Sequence, residues 1–261
     1  MNSSSGRVEI VVRQRYAWRR SVYSPICNSA HVLGQGFIGA TGNLQCFVGS
    51  SCGSFNSTPV DGYCTDYSNA LDWSSSERMD IQNLSIGVEL VIGFSDFSFS
   101  ILAISGNGIW FLMNRIDLSL RPDGKINTSP TSVILPVIRR RINVTHTLSI
   151  PMYDDDRTDI LRCRWSTNGT LNNTNGVDEC ASVCDPTLPL GYTLFTDNCT
   201  LIFSIDSLSH YGITLQIEDY FNSTTTKPMS STPVQFLIYG VSSPIGCSIK
   251  SSIMGSRPNQ G

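Results

Sequence analysis

At 261 residues and 28.6 kDa, the chain can form one large domain or two of ordinary size. Only 15% of residues are charged and the net charge is −3, which excludes the basic field that drives nucleic-acid binding. Ser and Thr fill the gap, at 37 and 20 residues, and an apolar content of 40% supports a packed core and argues against general disorder.

Helical periodicity is weak, and Gly, Pro, Asn and Ser interrupt the chain roughly every 8 to 12 residues, the rhythm of an all-β protein. Residues 8–12 open the chain as a strand. Residues 27–76 are rich in glycine and hold four cysteines, so they are expected to be irregular and stapled. Residues 84–94 form a mixed apolar run, and 97–101 alternate strictly. Residues 109–112 follow an Asn107-Gly108 turn suited to a hairpin. Alternation at 116–120 stops at Arg121-Pro122-Asp123-Gly124, where Pro presets φ and Gly accepts a positive φ. Beyond residue 142, strands are expected at 145–150, 160–165, 199–203, 212–217 and 234–239, enough for one small sandwich, with Tyr211 placed as a tyrosine corner. The expected fold class is therefore mainly β in two disulfide-stapled modules. These are a cysteine-containing β-rich unit at 1–142 and an immunoglobulin/cadherin-like β-sandwich at 143–241, followed by a linker or disordered tail at 242–261.

Nine cysteines fall into two groups of four, Cys27, Cys46, Cys52 and Cys64, then Cys163, Cys180, Cys184 and Cys199, with Cys247 left over. Even clusters read as two disulfides per module, the pairing open, and Cys247 as unpaired in this chain, with a partner in a further module or a second molecule. Asn-X-Ser/Thr occurs at Asn2, Asn56, Asn83, Asn127, Asn143, Asn168, Asn172, Asn198 and Asn222. That exceeds what the composition alone gives and points to the secretory route, with Asn198 disfavoured by the adjoining Cys199. The chain opens without a basic-then-apolar signal peptide and holds no run of about 20 apolar residues. It is accordingly expected to be a piece of a longer extracellular or cell-surface protein, in which any membrane anchor would lie outside this chain.

Among residues that could carry chemistry, the run Asp154-Asp155-Asp156-Arg157-Thr158-Asp159 lies between two expected strands. Its plain reading is a solvated acidic turn; its functional reading is weak calcium binding by Asp154, Asp156 and Asp159, with Arg157 neutralising part of the charge. Calcium is the one cofactor the sequence suggests. Arg139-Arg140-Arg141 reads as a basic linker or a processing site. Tyr16, Trp18, Arg19, Arg20 and Tyr23 form an aromatic and basic group, either a strand end packed on its own core or a contact for a glycan or partner. His31, His146 and His210 lie far apart, and neither a nucleophile elbow nor a zinc or phosphate motif is present. Cys180 and Cys184 mimic a zinc half-site but read as disulfide cysteines.

Several segments carry a resemblance: Ala17-Trp18-Arg19-Arg20-Ser21-Val22-Tyr23-Ser24-Pro25-Ile26-Cys27, Cys64-Thr65-Asp66-Tyr67-Ser68, Trp73-Ser74-Ser75-Ser76-Glu77-Arg78, Glu179-Cys180-Ala181-Ser182-Val183-Cys184 and Leu215-Gln216-Ile217-Glu218-Asp219-Tyr220. With Cys163-Arg164-Trp165 and Pro233-Val234-Gln235-Phe236-Leu237, the chain resembles an ectodomain region of large, uncharacterised multidomain extracellular proteins of invertebrates and lancelets. The resemblance implies a modular extracellular setting and no known activity. The expected role is non-enzymatic adhesion or recognition of a protein or glycan. The alternatives are a structural spacer, or a secreted lectin or hydrolase.

Overall fold

The computed structural model describes residues 6–49, 52, 54–96, 101–103, 106–107, 109–169, 173, 175–184, 188–189 and 191–242. Cys247, Asn2 and Asn172, with residues 97–100 of one expected strand, lie outside the described residues.

Strand β1 (Arg7–Arg19) is built by alternation: Val8, Val12, Gln14, Tyr16 and Trp18 turn inward, while Arg7, Glu9, Arg13, Arg15 and Arg19 face out. It pairs antiparallel along its whole length with β6 (Trp73–Ser85), and β5 (Gly62–Ser68) and β2 (Phe37–Ile38) complete a sheet ordered β1-β6-β5-β2. Against it packs a second sheet that begins β4 (Thr58–Pro59), β3 (Asn43–Val48), β7 (Glu89–Asp96), β10 (Trp110–Asp117). Val8, Val12, Trp18 and Leu84 from the first sheet meet Leu44, Leu90, Ile92 and Phe94 from the second, forming one buried cluster. Tyr16, Trp18, Phe94 and Trp110 pack edge to face or tilted at its centre. Gly39, at φ +121, lies so close to Trp18 that a Cβ would sit 2.8 Å from the indole.

The segment 27–76, expected to be irregular, supplies β2 to β5 and a six-residue helix, α1 (Ser29–Gly34), capped by the Asn28 side chain on the His31 amide. Pairing with β6 and β7 holds these short, glycine-punctuated strands where their own propensity would not. The apolar run 84–94 is split between β6 and β7 by a turn containing Gly87 at φ +83.

The second half is a two-sheet sandwich. One layer is β11 (Val137–Arg141), β17 (Ser230–Val241), β16 (His210–Tyr220) and β13 (Ile160–Trp165) in that order; the other is β12 (Thr145–Ser149), β15 (Thr200–Ser204) and β14 (Thr193–Phe195). Taken in chain order from β12 to β17, the strands have the B-E-D and C-F-G pairing of an immunoglobulin-type sandwich, with β11 joined parallel to the edge of β17. Tyr211, wholly buried at the start of β16, accepts the Ser207 amide at 3.0 Å through its hydroxyl and donates to Asp206 Oδ1 at 2.7 Å, which is the expected tyrosine corner. The core is Tyr211, Ile213, Leu215 and Ile217 of β16 and Val234, Phe236 and Ile238 of β17, packed against Leu201 and Phe203 of β15. Ile138 of β11, on the N-terminal side of residue 142, also belongs to this cluster.

The two halves share a sheet. β10 pairs with β17 at Arg115↔Ser231, so one sheet runs from β4 through both cores to β16. At its far end, β8 (Ile101–Leu102) pairs parallel with β16 and antiparallel with β9 (Gly106–Asn107). β16 is buried on both faces: away from the core, the described residues 175–184, with their short 3-10 turn at Ala181–Val183, lie over it, Thr214 donating to the Val183 carbonyl at 3.0 Å.

Candidate metal centre

The acidic run forms the loop between β12 and β13, and alternation decides which carboxylates it shows to solvent. Asp155 and Arg157 are exposed, whereas Asp154 is 6% exposed and the Asp159 side chain is wholly buried. The loop meets two other parts of the chain. The first is the segment after β10, which brings Arg121, Asn127 and Thr128. The second is the C-terminal end of β16, which brings Asp219.

Arg121, 5% exposed, forks onto Asp159, with Nη1 to Oδ2 at 2.9 Å and Nη2 to Oδ1 at 2.8 Å, and its Nη1 also lies 2.7 Å from Asp156. Asp156 further accepts the Thr128 amide at 2.8 Å and the Thr128 hydroxyl at 2.9 Å. Arg157, expected to neutralise this loop, points away, and Arg121 neutralises it instead. The other side of the cluster is short of positive charge. Asp219, fully buried, accepts the Ser230 amide at 2.6 Å, its hydroxyl at 2.8 Å and Asn127 Nδ2 at 2.6 Å. Asp154 Oδ1 accepts the Asp156 amide at 2.7 Å, but Asp154 Oδ2 is buried without a hydrogen-bond partner, as is Asn127 Oδ1. Burial, reinforced by neighbouring carboxylates, pushes Asp154 up to about 6 and Asp219 up to about 7, and burial also raises Asp159.

One carboxylate oxygen from each of Asp154, Asp159 and Asp219 lies within 4.8 Å of the others. Oxygens bound at about 2.3 to 2.6 Å to a common calcium ion fall within such a span. The sequence reading thus named Asp154 and Asp159, which come together with Asp219 although Arg121 also binds both oxygens of Asp159, and Asp156, which meets Arg121 and Thr128. It missed Asp219, Arg121 and Asn127. The signal for Asp219 was present: in β16 it continues the inward series Leu215, Ile217, where a carboxylate is out of place.

A second buried polar group lies on the other face of β16. Arg164 forks onto Glu179 at 2.7 and 2.8 Å and reaches Glu218 at 2.8 Å, while Tyr220 donates to Glu218 at 2.7 Å. Glu179 also accepts Asn175 Nδ2 at 2.6 Å. These bonds hold Asn175 and Glu179 on the sheet.

The eight clustered cysteines form four disulfides: Cys27–Cys64, Cys46–Cys52, Cys163–Cys199 and Cys180–Cys184. Two lie in each half, which suits an oxidising environment. Cys163–Cys199 joins β13 to the start of β15 and so ties the two layers of the sandwich together. Among the sequons, Asn56, Asn83, Asn143, Asn168, Asn198 and Asn222 are exposed, whereas Asn127 spends its amide nitrogen, the atom a glycan would occupy, on Asp219.

The remaining groups fall as follows. Trp18 is 2% exposed and donates to Ser76 Oγ at 2.8 Å, and Tyr16 is buried beside it, so these rings belong to the core and Arg19 points the other way. Arg139, Arg140 and Arg141 form most of β11, paired with β17, and are no linker. No helix among the described residues is long and apolar enough to cross a membrane. No family model matches the chain, and no curated protein matches it.

Proposed function

We propose that this chain is a non-enzymatic segment of an extracellular protein, serving adhesion or recognition. The reading is carried by the outward face of the first sheet. There Val11, Met79 and Ile81 are 58%, 58% and 67% exposed, in register as Val11↔Ile81 and Arg13↔Met79. Phe37 and Tyr63 stack at 4.3 Å on the same sheet, with Arg78 over the Phe37 ring. Arg7, Arg13, Arg15 and Arg19 border the aliphatic centre. A contiguous apolar centre with aromatic and arginine neighbours has the make-up of a contact surface, whereas scattered exposed apolar residues need no explanation. Arg13 and Arg15 meet Glu77 and Arg19 meets Asp72, so the rim pairs its own charges around the apolar centre, which would meet a protein or glycan partner. The disulfides and exposed sequons support a setting outside the cell.

The test is to secrete the full chain, multimerise it, and apply it to cells and to a glycan array. Binding at least tenfold weaker in a Met79→Glu/Ile81→Glu variant of unchanged unfolding temperature is the expected result. Binding that the variant leaves intact would refute the assignment of this face. A spacer role is the second reading, favoured by the sheet that runs through both cores, and an absence of binding in either assay would select it.

A further inference from the structure

We propose that a calcium ion binds on the second sandwich, where the segment leaving β10 meets it, held by the carboxylates of Asp154, Asp159 and Asp219. Asp154, Asp159 and Asp219 each bring one carboxylate oxygen within 4.8 Å of the others, and Arg121 spends its terminal nitrogens on Asp156 and Asp159. The uncompensated charge therefore sits with Asp154 and Asp219. Asp154 Oδ2 is buried with no hydrogen-bond partner, whereas Asp219 accepts three donors, from Asn127 and from the amide and hydroxyl of Ser230. A divalent cation satisfies the orphaned oxygen and the charge together.

The donors are all hard oxygens, as calcium requires, and Asn127 Oδ1, buried without a donor, belongs to a side chain that already reaches Asp219. Asn127 lies on the segment between β10 and β11 and donates to Asp219, so an ion held by Asp219 would sit where that segment meets the sandwich.

The full chain, with its disulfides intact, is stripped with chelator and titrated with calcium chloride by calorimetry, while its unfolding temperature is followed. Saturable binding with a midpoint on the order of 10⁻⁴ to 10⁻³ M is expected. A rise of roughly 3 °C in unfolding temperature should accompany a tenfold excess over that midpoint. Asp154→Asn should abolish both signals without lowering the calcium-free unfolding temperature, because it removes one of the clustered charges. Asp155→Asn, on the exposed side of the same loop, should retain them. No heat and no shift in the unaltered chain at about 10 mM calcium, well above the affinities of extracellular calcium modules, would overturn the proposal. So would an equal response to magnesium, or loss of binding in Asp155→Asn as great as in Asp154→Asn.

Discussion

Removing the disulfide between the sandwich layers should cost more than removing the one that staples the covering segment. Cys163 and Cys199 are 36 residues apart, and Cys180 and Cys184 only 4. Loop-closure entropy in the unfolded chain then assigns about 3.8 kcal/mol to the first bond and about 2.1 kcal/mol to the second. Packing widens the gap. Cys163 and Cys199 are 1% and 0% exposed inside the second core, so truncating both to alanine also opens a cavity, adding on the order of 1 kcal/mol. In the second bond Cys180 is equally buried at 1%, but Cys184 is only half-buried, so less packing is lost there. The assay is equilibrium unfolding in guanidinium chloride of the Cys163→Ala/Cys199→Ala and Cys180→Ala/Cys184→Ala variants, each against the oxidised parent. A difference between the variants of roughly 2 to 3 kcal/mol is expected. Equal losses, or a larger loss from the short loop, would refute the reasoning and show that the turn held by Cys180–Cys184 does more for the sheet than the bond between layers.

Tyr211→Phe keeps the ring and deletes the hydroxyl that serves the exposed Asp206 and the half-buried Ser207 amide, at a cost of about 1 kcal/mol read from the urea midpoint; an unchanged midpoint would mean that water replaces the hydroxyl. Burial, aided by Arg19, lowers the pKa of His210 below its ordinary 6.5, so the folded state takes up its proton less readily than the unfolded chain. Its contribution is therefore whole above the unfolded value and is lost as pH falls through that value toward the folded one, and His210→Gln should flatten this limb of a stability profile measured from pH 7 to 5.

Most of the second sandwich was legible because its strands obey a period of two: 145–150, 160–165, 199–203, 212–217 and 234–239 coincide closely with β12, β13, β15, β16 and β17. β14 has only three residues, Thr193–Phe195, and its pairing with β15 supplies what its sequence lacks. β11 escaped because Arg139, Arg140 and Arg141 look like a linker until the parallel pairing with β17 is known. In the first half, β2 to β5 were hidden by glycines, since short strands carry too few residues for a period to emerge. The site was half legible. A run of aspartates on one loop announces itself in sequence, but Asp219 stands 60 residues beyond Asp159, and only the closure of β16 beside β13 brings them together.

The seam between the two cores is made differently from the cores themselves. Where β10 meets β17 the contacts are polar: Trp110 Nε1 to Gln235 Oε1 at 2.8 Å, Gln235 Nε2 to the Phe111 carbonyl at 2.6 Å, and Arg115 Nη1 to the Pro228 carbonyl at 2.6 Å. Arg115 is fully buried there and also meets Glu89, which Lys227 reaches from the other side at 2.8 Å. Such contacts add little net stability, since each replaces a bond to water, but their directionality penalises every other arrangement of the two surfaces. Apolar packing alone would let the halves slide, because it lacks that directionality. The polar seam and the shared sheet therefore fix orientation while the two cores supply cohesion. The acidic cluster stands, with the Thr131–Tyr153 bridge, where the segment leaving β10 meets the second sandwich, and a cation there would act on that junction more than on either core.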